Sequence, residues 1–137
     1  HTNKILNLNL VSAIRRDTKI PVIFRNKDNY KEQMIYDIET LQKKCKSIAI
    51  ITKTDTEAID IYKKLKPTLE ELTLITSGSK NFNRKLIVIP SYMAKGLEFD
   101  ASIIYTDKNN KYKPEEKYLY YVSCTRSQHY LVIYNQN

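Results

Sequence analysis

Four short runs of nearly unbroken apolar residues constrain this chain more than any other feature: 47–52 (SIAIIT), 86–89 (LIVI), 101–105 (ASIIY) and 130–134 (YLVIY). Each is too short for a helix and rich in β-branched or aromatic residues, so each reads as a strand. A strand without polar alternation has no side to offer water and must be covered on both faces. Two weaker runs, 20–24 with Pro21 near its start and 72–76, read as further strands.

Segments of helical period separate these runs. Tyr30, Met34, Ile38, Leu41 and Cys45 form one apolar stripe. Asn29 and Glu32 ahead of it have capping-box spacing, and Lys43, Lys44 and Lys46 close its last turn. Thr54 and Glu57 make a second box before the stripe Ala58, Ile61, Tyr62 and Leu65, which stops at Pro67. Pro114 suits the first position of a last helix, with Glu115 and Glu116 in its first turn and Leu119, Val122 and Arg126 on one face. Residues 2–13 read as the end of a helix, 15–17 as a polar break, 77–81 as a turn and 107–113 as a lysine-rich loop. Strands alternating with helices specify an α/β domain, three layers deep, around a mostly parallel sheet.

The 137 residues suffice for one domain and one core. No apolar run approaches membrane-spanning length, and no secretory signal is visible. The two cysteines, Cys45 and Cys124, match no metal spacing and are too few for a disulfide framework, which points to the cytoplasm. His129 lacks a second ligand at metal-binding spacing, so no metal site is expected within the chain. The net charge of +8 suits an anionic partner such as nucleic acid. The lysines are spread along the whole chain, however, which describes a solvated basic surface as well as a dedicated groove.

The loop between the second and third apolar runs carries Lys95, Glu98 and Gly96, one of only two glycines. Ligands of open parallel sheets bind outside the carboxyl ends of strands, where this loop is expected to sit. Its sequence, Ala94-Lys95-Gly96-Leu97-Glu98-Phe99-Asp100, resembles motif V of the UvrD/Rep-type superfamily-1 helicases. Residues 115–127 (EEKYLYYVSCTRS) resemble their motif VI, in the expected order. The lead-in Ile89-Pro90-Ser91-Tyr92-Met93 is most similar to the HelD-like branch, whose members remodel RNA polymerase.

The resemblance implies a second, C-terminal RecA-like motor domain of the P-loop NTPase type, spanning 1–137. In that role Arg126 is the arginine finger, a permanently charged fork that stabilises the transferred phosphoryl group. Glu98 accepts a hydrogen bond from the ribose of ATP, and Gly96 lets the backbone approach the nucleotide. Lys95 meets a phosphate or steadies the loop, and Tyr92 stacks on a base of the nucleic acid. Tyr121 and Thr125 frame the motif VI helix. Each residue has a plainer reading beside this one: Arg126 as a helix-end arginine satisfying the last carbonyls, Glu98 as a surface carboxylate, Gly96 as a turn.

Two departures qualify the likeness. Pro90 and Tyr92 stand where the family commonly has Thr and His, and no GxxxxGK[ST] occurs anywhere. The chain is therefore expected to be part of a longer protein, beginning after motif IV. An N-terminal RecA-like domain outside it supplies the phosphate loop and the ligands for Mg²⁺, and the 137 residues alone are expected to be inactive. Implied partners are ATP with Mg²⁺, that N-terminal domain, single-stranded or duplex DNA and, through the HelD-like lead-in, RNA polymerase. The alternatives to a DNA helicase are a HelD-like ATPase that remodels RNA polymerase and a degenerate, non-catalytic module that binds nucleic acid or protein.

Overall fold

In a computed structural model, residues 12–17, 19–26, 30–76, 85–107 and 112–135 are described. The Asn29 cap, the turn at 77–81, most of 107–113 and the segment before residue 12 lie outside them. Six strands form one sheet: β1 (Val22–Asn26), β2 (Ile48–Thr52), β3 (Thr73–Leu74), β4 (Leu86–Pro90), β5 (Phe99–Tyr105) and β6 (Ser127–Asn135). Their order is β1-β6-β5-β2-β4-β3, and every pairing is parallel. The helices are α1 (Tyr30–Gln42), α2 (Asp55–Leu65), the single turn α3 (Ser91–Ala94) and α4 (Lys117–Cys124), the last preceded by a 3₁₀ turn, Pro114–Glu116.

The period-2 geometry of strands sorts the apolar runs onto two faces. Ile48, Ile50, Leu86, Val88, Ala101, Ile103, Val132 and Tyr134 pack with Met34, Ile38 and Leu41 of α1 and Ala58, Ile61 and Leu65 of α2. Ala49, Ile51, Ile87, Ile89, Phe99, Ile104, Leu131 and Ile133 pack on the other face with Ala94, Cys124 and Ile14. The central strands are buried throughout because both faces are covered, as their composition requires. Burial of that density keeps the Cys124 thiol protonated, its pKa pushed well up by desolvation.

Local signals place the helices. Thr54 accepts from the Glu57 amide while Glu57 accepts from the Thr54 amide, so the capping box at α2 is closed in both directions. Strand boundaries shift for identifiable reasons. β1 begins after Pro21, which has no N–H to donate and whose carbonyl accepts from Leu131 instead. β3 is only two residues of the expected 72–76, since it is an edge strand with β4 alone beside it. β6 starts at Ser127, ahead of the expected 130, because β5 pairs with it from there, Phe99 lying opposite Ser127. Residues 12–17 are helical, so Arg15, Arg16 and Asp17 are not a break but an exposed rim around buried Ile14.

The buried polar cluster at the β1–α1–β6 contact holds one end of the sheet. Arg25 Nη2 and Nε donate to Asp37 at 2.8 and 3.2 Å, and Tyr134 Oη donates to the same carboxylate at 2.6 Å. Gln33 Nε2 adds a further bond at 3.1 Å. Asp37, only 5% exposed, is thus satisfied from three sides, and burial together with that bond holds the Tyr134 phenol far above its ordinary pKa.

Candidate functional site

The β4–β5 segment begins at the carboxyl edge of the sheet and ends at the amino edge, as any parallel crossover must. This corrects the expectation that the whole loop lies beyond the carboxyl ends. Tyr92, in α3, is near the carboxyl edge; Glu98 immediately precedes β5 and lies at the amino edge.

Arg126 reaches that same amino edge by a different route. The sequence places it on the last helix, but α4 ends at Cys124. The Thr125 amide and hydroxyl, and Arg126 Nε, all donate to the Val122 carbonyl, closing the helix. Arg126's own carbonyl accepts from the Phe99 amide at 2.9 Å, which commits it to the β5–β6 ladder and ends any helical continuation. The same bond sets Arg126 and Glu98 side by side, each one residue ahead of adjacent strands. Glu98 is exposed, and its Oε2 accepts from Gln128 Nε2 at 2.6 Å. Half-buried Arg126 spends Nε on Val122 and Nη2 on Thr125 Oγ1 at 3.4 Å, while Nη1 bonds no described residue. A forked donor and an acceptor-only carboxylate therefore share one edge, the combination that phosphate and sugar hydroxyl require.

Gly96 shapes the segment between. Lys95 has φ −58° and ψ 128°, Gly96 has φ +84°, and the Leu97 amide donates to the Ala94 carbonyl at 3.0 Å. This is a type II turn, whose third residue needs positive φ. A Cβ on Gly96 meets nothing within 4 Å, so the glycine is required by backbone conformation and not by crowding. Gly96→Ala is expected to destabilise the domain by about 1–2 kcal/mol, the left-handed penalty alone, measured as a shift in denaturation midpoint without change in slope. Lys95 is exposed at the tip of this turn.

At the carboxyl edge, Tyr92 is 49% exposed and its hydroxyl donates to the Asp55 carboxylate, with both oxygens at 3.0 Å. Asp55 is the first residue of α2, so the ring of Tyr92 is anchored to a helix terminus. Beside it Lys53 Nζ pairs with Glu116 Oε1 at 2.8 Å. Lys53, with Lys113 adjacent, holds the Glu116 carboxyl below its ordinary 4.5. A carboxyl lowered on folding stabilises above the unfolded value and loses that contribution as pH falls through the folded one. The melting-temperature difference between wild type and Glu116→Gln is therefore expected at pH 6 and should shrink progressively below about pH 4.5. Tyr121 bonds Asp17 through its hydroxyl, tying α4 to the helical residues 12–17.

Sequence reasoning singled out Tyr92, Lys95, Gly96, Glu98 and Arg126 as candidates. It missed Lys53, Asp55 and Gln128, whose partners lie 63, 37 and 30 residues away. Gln128 carried no signal, since it lies ahead of the strand expected from residue 130 and joins β6 only in the structure. Among the described residues no group of three or more His, Cys, Asp or Glu side chains is placed to hold a metal.

Residues 8–137 match the UvrD-like helicase C-terminal domain. The chain belongs to that family. The UvrD-like domain is also similar to the crystal structure of the C-terminal domain of a possible DNA helicase from Lactobacillus plantarum WCFS1, with 30% identity and a TM-score of 0.70 over 84% of this chain and 72% of that one. No curated protein gives a match. The family assignment and the all-parallel sheet establish the fold as that of a RecA-like helicase motor domain. Nothing in these likenesses singles out the HelD-like branch or RNA polymerase. No helix among the described residues of the UvrD-like domain is long and apolar enough to cross a membrane.

Proposed function

We propose that this UvrD-like domain is the C-terminal half of an ATP-dependent superfamily-1 DNA helicase motor and completes an ATP site whose phosphate loop and Mg²⁺ ligands belong to an N-terminal RecA-like domain of the same protein. The observation that supports this most is the juxtaposition of Glu98 and Arg126 at the starts of β5 and β6. Glu98 takes the ribose and Arg126 the γ-phosphoryl charge as the cleft between domains closes. Tyr92 and Lys95, exposed on the segment that leads into Glu98, contact the nucleic-acid strand, Tyr92 through stacking and Lys95 through phosphate. One crossover thus joins the nucleic-acid contacts to the nucleotide contacts, which suits a motor that moves along DNA.

One observation favours a second reading. Arg126 already satisfies the end of its own helix through Val122 and Thr125, as a purely structural arginine does. In that case the domain is a binding module that grips DNA or protein without contributing to hydrolysis. ATP turnover by the full-length protein, wild type against Arg126→Ala, separates the two.

A further inference from the structure

Lys53 touches both motif-bearing segments at once. It stands directly after β2, the strand between β4 and β5. Its carbonyl accepts from the Ser91 hydroxyl at 3.3 Å, and Ser91 opens the turn that carries Tyr92. Its amide donates to Glu57 at 3.1 Å, a carboxylate that also receives the Asp107 amide at 3.0 Å beyond β5. Its side chain, only 9% exposed, reaches Glu116 at 2.8 Å and lies 5.8 Å from the centre of the Tyr112 ring. Glu116 is the residue immediately before α4, and α4 ends two residues short of Arg126.

A lysine held this far from water needs its partner, so the pair is a fixed strut and not a surface contact. The strut meets α4 at the end opposite Arg126, while the other contacts of Lys53 hold the start of the Tyr92 turn. The same lysine therefore links the start of that turn to the helix that precedes Arg126.

We propose that the Lys53–Glu116 pair is the positioning contact that transmits nucleic-acid binding at the Tyr92 turn to Arg126, so that it governs stimulation of ATP turnover by DNA. This rests on the motor-domain reading above. Neither residue is assigned contact with nucleotide or DNA; both act through the elements they brace.

The test uses the full-length protein and single-stranded DNA, and reads the ratio of DNA-stimulated to basal ATP turnover. Read at saturating DNA, the ratio is insensitive both to the fraction of folded enzyme and to weakened DNA affinity, so loss of folded protein alone leaves it unchanged. Lys53→Met, which keeps most of the stem packing and deletes the charge, is expected to lower the ratio about tenfold, within the range of ordinary coupling energies. Glu116→Gln, at the more exposed end of the pair, is expected to act in the same direction and serves if Lys53→Met does not fold. The swapped pair Lys53→Glu with Glu116→Lys should recover the ratio to within about threefold. A ratio unchanged in either folded single variant overturns the inference, as does a swap without recovery. If turnover in the wild type is not stimulated by DNA, or survives Arg126→Ala, the motor-domain reading itself fails. If that reading passes and the Lys53 and Glu116 variants keep their ratio, only the strut fails.

Discussion

Replacing Arg126 by alanine in the full-length protein should lower kcat for ATP about 10³-fold or more while leaving nucleotide affinity nearly unchanged. The magnitude follows from where the charge appears. A guanidinium that meets the γ-phosphoryl only as negative charge spreads over its oxygens stabilises the transition state and not the bound ground state. The two bonds Arg126 makes to Val122 and Thr125 do not oppose this, because Nη1 bonds no described residue. Its carbonyl, fixed to the Phe99 amide at 2.9 Å, keeps the backbone in place when the side chain is cut back, so the domain should remain folded. Thermal melting of the variant within a few degrees of wild type, beside the lost turnover, is the combination to expect. A rate within tenfold of wild type would assign Arg126 to helix termination alone.

The second large effect concerns stability. Asp37→Ala should destabilise the domain by about 3 kcal/mol, or a melting temperature lower by roughly 10 °C. Breaking a buried pair leaves the surviving partners unsatisfied, at about 3–5 kcal/mol for full burial. Here the penalty divides unevenly. Arg25, 32% exposed, can turn toward water, whereas the buried Tyr134 hydroxyl loses its acceptor with no solvent to replace it. Asp37→Ala combined with Tyr134→Phe should therefore recover part of the loss, and urea denaturation of the two variants measures it. Equal stability of Asp37→Ala and wild type would mean that the cluster merely breaks even against solvation.

Much of the fold could be read directly from the sequence because its strands are buried on both faces. Ile48–Ile51 and Leu86–Ile89 have no polar alternation, and that single property demands helices on each side and a parallel sheet. Thr54, Glu57 and Pro67 marked α2 at both ends, since caps and breakers act within four residues. What could not be read depends on groups distant in sequence. The end of α4 was misjudged because side-chain period alone extends the helix to Arg126, while the bond from the Phe99 amide that stops it comes from another strand. Likewise the loop was placed wholly at the carboxyl edge because its polar residues show that it is a loop but not how far a crossover carries it.

The site shows the same division. Gly96 and Glu98 were singled out through their motif, whereas the type II turn in which Gly96 takes a φ of +84° emerges only from the backbone. Lys53 and Asp55 read as an ordinary helix lead-in, and their links to Glu116 and Tyr92 exist only once β2 and β4 lie side by side.

The claim on which everything else depends is that Arg126 acts on the transition state of phosphoryl transfer. The measurement that tests it most directly is the affinity of the full-length protein, wild type and Arg126→Ala, for ADP with aluminium fluoride and for a non-hydrolysable ATP analogue. The account predicts that the variant loses about 10³-fold in affinity for the aluminium fluoride complex and changes by less than about threefold for the ATP analogue. Equal losses for both ligands, or no loss for either, would contradict it.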